Sequence, residues 1–228
     1  NMPRLVDLDA DGDLDLIVNS QVAYTSLPRY VWYYENTGSA TNPIFVARSG
    51  AQNPFDTVGF VMNAHPQNIN PLFYPIYNLV DIDADGDLDN IVFYVDEFSD
   101  LYLNVGSAVS PDFVLQSSSS NPFNNLTNPL ADVKPNSSVV LIDFDSDNDL
   151  DIAIDPGGNS SSLQYYENIG DSSSAVFTSS NVLVLDSTYN GVNGTILGGN
   201  DPQYGHYSFV DIDGDSDLDV FELDWKGE

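Results

Sequence analysis

The sequence predicts an all-β protein, a β-propeller or propeller-like array of about four repeats, each with the four antiparallel strands of one blade. Three observations carry this. A nine-residue acidic stretch occurs four times, as DLDADGDLD, DIDADGDLD, DFDSDNDLD and DIDGDSDLD, starting at Asp7, Asp81, Asp143 and Asp211. Each copy runs directly into a short segment of β-branched and aromatic residues. Behind the first three copies an Asn-x-Gly turn, at Asn36, Asn104 and Asn168, separates two further segments of that kind.

The first repeat sets the layout. Residues 3–8 form a short strand that enters the acidic loop, and residues 14–19 form the strand that leaves it. A third strand follows at 29–35 (RYVWYYE), then the turn Asn36-Thr37-Gly38, then a fourth strand at 43–47 (PIFVA). In the turn, glycine is expected to supply positive φ and Asn to bond local backbone. Phe45 beyond the turn has counterparts in Phe113 and Phe177. The segments leaving the loops read LDLIVN, LDNIVFYV, LDIAID and LDVFEL. These are strands and not the amphipathic helices that follow an EF-hand loop.

The loop starts lie 74, 62 and 68 residues apart. The variation falls in connections, which hold Asn53-Pro54-Phe55, Asn121-Pro122-Phe123 and the Gly- and Asn-rich stretch 190–200; no helix of normal length is expected. One domain of four repeats follows, at about 1–74, 75–136, 137–204 and 205–228. The last repeat stops after two strands, near Trp225. Two accounts stand for it: the chain is cut from a longer array, or a strand from another chain completes the open edge around 221–225.

The acidic stretches read as cation cages. A loop that curls around Ca2+ presents alternate side chains inward, and a turn at its sixth residue lets a later carbonyl join them. The expected side-chain ligands are Asp7, Asp9, Asp11 and Asp15; Asp81, Asp83, Asp85 and Asp89; Asp143, Asp145, Asp147 and Asp151; and Asp211, Asp213, Asp215 and Asp219. The seventh residues, Asp13, Asp87, Asp149 and Asp217, are expected to offer a backbone carbonyl, completing four Ca2+ sites. Gly12 and Gly86 supply the turn, Asn148 tolerates a left-handed backbone, and Ser216 fits less well. Two carboxylates about 5 Å apart repel by about 3 kcal/mol at an effective dielectric of about 20, so such a loop calls for a cation. Mg2+ suits it less, because that ion demands rigid octahedral geometry and keeps its waters.

Of 35 acidic residues, 20 lie in these loops, and the remaining 15 still outnumber the 5 Lys and Arg. With a net charge of −30 the chain lacks the basic footprint that nucleic acid or an anionic membrane requires. Its 42% hydrophobic content suffices for a core. Without Cys there are no disulfides or thiolate sites. No apolar run approaches the roughly 18 residues of a membrane span. The chain opens at Asn1 without a leader, as expected of a processed chain or a fragment.

With the four loops, YYENTGSATNPIF, YYENIGDSSSAVF, and NPF followed by a variable stretch and VDIDADGDLD, the chain resembles the FG-GAP or VCBS-type repeats and is similar to the calcium-loop blades of the integrin α-subunit propeller. The resemblance implies a propeller with each cation loop joining the first two strands of a blade, and a secreted or cell-surface setting. It implies adhesion, carbohydrate binding or a repeat array on a larger surface protein.

Other chemistry is sparse. His65 and His206 are the only histidines and stand beside turn residues. No phosphate loop or nucleophile elbow appears, so no enzyme is expected. Sequons occur at Asn125, Asn136, Asn159 and Asn193, close to the roughly three that chance supplies at this content of Asn, Ser and Thr, so they are weak evidence of glycosylation. The expected function is a calcium-stabilised extracellular structural or adhesive module. Its partners are itself, through strand exchange at the last repeat into an oligomer or filament, or another surface protein or glycan. The alternative is a lectin using whichever of the strand aromatics Tyr30, Trp32, Tyr33, Tyr34, Tyr165 and Tyr166 point away from the core.

Overall fold

In the computed structural model, residues 2–19, 31–57, 76–94, 98–117, 119–126, 138–155, 163–185, 206–210 and 219–223 are described. They form three four-stranded sheets and one two-stranded sheet, with almost no helix. The first sheet has the order β1 (Met2–Val6), β2 (Asp15–Asn19), β3 (Val31–Asn36), β4 (Phe45–Arg48). The second comprises β5 (Ile76–Val80), β6 (Asp89–Tyr94), β7 (Phe98–Asn104) and β8 (Phe113–Leu115). The third comprises β9 (Ser138–Ile142), β10 (Asp151–Asp155), β11 (Leu163–Asn168) and β12 (Phe177–Leu185), again in sequence order. The fourth repeat contributes β13 (His206–Val210) paired with β14 (Asp219–Leu223).

Each acidic loop joins the first two strands of its sheet, which pair antiparallel from the residues that flank it. Val6 lies across from Asp15, Ile142 from Asp151 and Val210 from Asp219. Side chains alternate between the faces of a strand, yet β6 and the inner residues of β10 are buried throughout. Ile91, Val92 and Phe93 are fully enclosed, as are Ile152 and Ile154. A strand covered on both faces reads as a continuous apolar run, which is what IVFY and IAI present.

The chain divides into two compact units, one of residues 1–74, 79–91 and 100–117, the other of 75–78, 92–99 and 118 onward. The same device fastens each. In the first, the Asn53 side-chain amide donates to the Val31 carbonyl of β3 at 3.0 Å, and its Oδ1 accepts from the Phe55 amide at 3.1 Å. Held in this way at the helical turn Pro54–Thr57, Phe55 stacks on Phe113 of β8 with ring centroids 5.3 Å apart. In the second, Asn121 donates to the Ser99 carbonyl of β7 at 2.9 Å and caps the 3-10 turn Pro122–Asn125 by accepting from Phe123. Phe123 then stacks on Phe177 of β12 at 5.3 Å and meets Phe93 edge-on. The asparagine reads one repeat's third strand, and the phenylalanine reaches the fourth strand of the next. Only the Asn-Pro-Phe string marked these places in the sequence.

The Asn-x-Gly turns differ from expectation in one respect. Gly38, Gly106 and Gly170 do not adopt positive φ, whereas Gly12, Gly50 and Gly86 do. Space decides instead: a Cβ on Gly38 would collide with the Asn42 carbonyl oxygen, and on Gly106 and Gly170 with those of Ser110 and Ser174. Asn36 bonds local backbone as expected, its Oδ1 accepting from Gly38 and Ile44.

Phe123 has no exposed surface, so Phe123→Ala should cost about 3–5 kcal/mol through the cavity it leaves. Asn121→Ala should cost about 1–3 kcal/mol, because it leaves a buried carbonyl and amide without partners. Urea denaturation of both single variants and the double variant checks this. The double loss is expected to fall short of the sum, since the asparagine's purpose is to place the ring.

Candidate metal centres

Two left-handed residues bend each described loop. The fourth and sixth positions have positive φ: Ala10 (54°) with Gly12 (94°), Ala84 (58°) with Gly86 (95°), and Ser146 (65°) with Asn148 (73°). The sixth was legible from its glycines. The fourth was not, because Ala and Ser carry no left-handed signal. In the fourth repeat the sequence has Gly214 at the fourth position and Ser216 at the sixth. Asp211, Asp213, Asp215 and Asp217 lie outside the described residues, and Asp219 begins β14.

The curled backbone turns its amides onto its own carboxylates. Asp7 accepts from Asp11 at 3.1 Å and from Gly12 at 3.0 Å, while Asp11 accepts from Asp13 at 3.0 Å. Asp81 and Asp85 repeat the pattern in the second loop, Asp143 and Asp147 in the third. One carboxylate oxygen from each of Asp7, Asp9 and Asp11 lies within 4.8 Å of the others. The same holds for Asp81, Asp83 and Asp85, and for Asp143, Asp145 and Asp151.

The seventh and ninth positions part company. Asp15 is buried and fully partnered: Oδ1 accepts from the Asn36 amide at 2.7 Å, and Oδ2 from the Leu8 amide at 3.2 Å and the Tyr33 hydroxyl at 3.0 Å. Asp151 matches it through Asn168, Phe144 and Tyr165. Asp89 has the Asn104 and Ile82 amides, but Leu101 stands where the other loops place tyrosine and offers no hydroxyl. The seventh residues Asp13, Asp87 and Asp149 are only 7–8% exposed, and the Oδ1 of each is buried without a hydrogen-bond partner. Asp9 and Asp83 each have one such oxygen as well.

A buried anionic oxygen without a donor costs at least about 1–3 kcal/mol, and electrostatics registers the discomfort. Burial first, then the neighbouring loop carboxylates, pushes Asp9, Asp13, Asp83 and Asp87 above the ordinary carboxylate range, and Asp149 up to about 6. Burial also raises Asp15 and Asp151 against their amide and phenol donors. Asp89 is pushed up to about 7 by burial, which the Asn104 and Ile82 amides only partly offset. The donor set is all oxygen, concave, crowded with like charge and short of positive partners. That is the chemistry a hard divalent cation satisfies.

Other residues singled out in the sequence fall elsewhere. His206 begins β13, and His65 lies outside the described residues, as do Asn136, Asn159 and Asn193; Asn125 ends a 3-10 turn. Tyr165 and Tyr166 are both buried, whereas Trp32 is exposed. Among the described residues no helix is long and apolar enough to cross a membrane.

No family model matches the chain, and no curated protein does. A solved structure of an Agrocybe aegerita lectin, described as the basis of its specific recognition of non-reducing terminal N-acetylglucosamine, aligns with 97% of this chain and 46% of its own. Identity is 17% and the TM-score 0.49. The chain thus spans about half the length of that protein, and a likeness of this degree assigns no ligand.

The raised carboxyls dictate a pH dependence. Without divalent cation, Asp89 and Asp149 keep protons in the folded state between the unfolded carboxylate value near 4 and about 7 and about 6 respectively. The folded state binds more protons in that window, so stability is highest at its acid end and falls as pH rises through it. Thermal melting in chelator across pH 4 to 7 should show this decline, and saturating Ca2+ should abolish or reverse it.

Proposed function

We propose that the chain is a calcium-stabilised repeat module of FG-GAP or VCBS type, a propeller or propeller-like array working outside the cell as a structural or adhesive element without catalysis of its own. The observation that carries this reading is the set of orphaned oxygens. Asp13, Asp87 and Asp149 each bury a carboxylate oxygen that no protein donor reaches, beside the clustered carboxylates of the same loop.

Ca2+ bound there would neutralise the repulsion within each loop. The first, third and fifth residues supply clustered carboxylates, and the seventh adds its side chain in place of the carbonyl expected from spacing. The ninth residue holds the loop to the third strand and the Asn-x-Gly turn whether or not it also touches the ion. Binding to the folded state alone stabilises it by about 2.7 kcal/mol per site at a hundredfold excess over Kd. The extracellular assignment follows from the ion, which is abundant there, and from the acidic surface, which favours contacts bridged by divalent cations.

Exposed Trp32 supports the second reading, a lectin, because an accessible indole stacks on sugar rings. The two readings share the loops and differ in whether a monosaccharide binds saturably.

Calorimetric titration with Ca2+, paired with thermal melting before and after chelation, tests the reading. Binding should occur in several sites and raise the melting temperature, and Asp87→Asn should weaken one site by about tenfold. Asp15→Asn should instead lower stability in Ca2+ and in chelator alike. A protein that takes up no Ca2+ and melts identically with chelator sinks the proposal; unchanged affinity in Asp87→Asn returns the seventh residue to a backbone contribution.

A further inference from the structure

The first sheet presents an apolar face on which the phenylalanine after the Asn-x-Gly turn lies open, whereas its counterparts in the next two repeats are enclosed. Register fixes which residues share it. Asn36 lies across from Phe45 and Tyr34 from Ala47; Leu16 lies across from Tyr34 and Leu5. In the third repeat Asn168 lies across from Phe177, and Ile152 across from Tyr166 and Leu141. Position for position, Leu141 is 8% exposed, Tyr166 1% and Phe177 0%, whereas Leu5 is 59% exposed and Phe45 42%. Phe113, the second repeat's counterpart of Phe45, is 2% exposed. Trp32, on the same face, is 42% exposed.

What seals the enclosed phenylalanines is known at both places. Phe113 receives Phe55 and Phe177 receives Phe123, each ring delivered by an Asn-Pro-Phe turn and stacked at 5.3 Å, with interplanar angles of 25° and 17°. Phe45 has the same position after the same turn, with the same Asn36-type partner, and its ring stays open. The sequence contains two Asn-Pro-Phe strings, and both rings are engaged inside the chain. A second copy of this chain therefore has none to spare.

We propose that this face of the first sheet is a docking surface for an Asn-Pro-Phe turn borne by a further repeat of the same kind, its phenylalanine stacking on Phe45. The partner is defined by chemistry already used twice in this molecule: an aromatic ring on a Pro-fixed turn, flanked by small polar residues, against an apolar sheet face. Neither the receptor face nor the turn contains a loop aspartate, so the contact stands independently of Ca2+ binding. Stacked aromatic pairs contribute beyond their buried area, and exposed aromatic and aliphatic side chains that share one sheet face mark an interaction site.

The test uses the full chain with Trp225→Phe, which leaves Trp32 as its one indole. The probe is a peptide of the chain's own residues 119–126, titrated to millimolar concentration while Trp32 fluorescence is followed. The expected result is a saturable change, weakened about tenfold or more when alanine replaces the peptide's phenylalanine. Phe45→Glu should weaken it equally while keeping the parent melting temperature, because the side chain it replaces is already exposed. Ala47→Glu, across from Tyr34, supplies the same test should Phe45→Glu melt early. The absence of saturation, an equal response to the alanine peptide, or unchanged binding in both protein variants overturns the proposal. Saturation by a monosaccharide with none by the peptide also overturns it, assigning the face to glycans.

Discussion

Each described repeat depends on one buried carboxylate. Asp15, Asp89 and Asp151 close their acidic loops, open the second strand, and accept the backbone amide of the residue that ends the third strand. Three pieces of chain distant in sequence are thereby tied to two oxygen atoms. Hydrogen bonds to a charged acceptor contribute about 1.5–3 kcal/mol each. The raised pKa of all three groups nevertheless means that burial outweighs those bonds. The tie is a geometric clamp more than a source of net electrostatic stability, in line with the general behaviour of buried charge.

From that clamp the rest follows by contact. The asparagine whose amide binds the carboxylate uses its own Oδ1 to accept two amides of the turn beyond it, Gly38 and Ile44 in the first repeat, Gly106 and Asp112 in the second, Gly170 and Val176 in the third. The turn can close only because its glycine has no Cβ. Closure sets the register of the fourth strand and puts Phe45, Phe113 or Phe177 directly across from the asparagine. Phe113 and Phe177 are where the two Asn-Pro-Phe turns dock. A polar lattice of carboxylate, amide and asparagine thus decides where the largest apolar contacts fall.

The sequence made the strands and loops legible because both have short periods. Alternating carboxylates and β-branched runs require no knowledge of tertiary partners, and strand positions agreed to within a few residues, as with β3 at Val31–Asn36 against 29–35. What stayed hidden depends on partners far along the chain. Nothing near Asp15 announces that Tyr33 and Asn36 will reach it, and nothing near Asp13 announces that one oxygen of its side chain will be buried without a donor. The glycines of the Asn-x-Gly turns misled in a different way: a residue needed for want of a Cβ looks the same as one needed for positive φ. The Asn-Pro-Phe strings were visible as strings, but their role is a relation between two repeats, which no single repeat contains.

The twenty loop aspartates look interchangeable in sequence, and in the three described loops depth together with backbone donors divides them. The ninth residue meets the amide that ends the third strand and the amide of the loop's own second residue, and in two loops a phenol, so its oxygens are held by the fold. The seventh, two residues earlier, is also buried but keeps an Oδ1 that no donor reaches, so that oxygen is left to whatever positive charge the loop acquires. The third position shows how fine the division is. Asp9 and Asp83 each keep an orphan oxygen, whereas Asp145 is exposed and its Oδ1 accepts the Asp147 amide at 3.3 Å. The third loop therefore offers one uncommitted buried oxygen where the first two offer two, and the cluster it forms draws on Asp151 in place of Asp147. Four copies of one acidic string need not give four equal sites, because the donors that surround each carboxylate are chosen by the strands beside the loop.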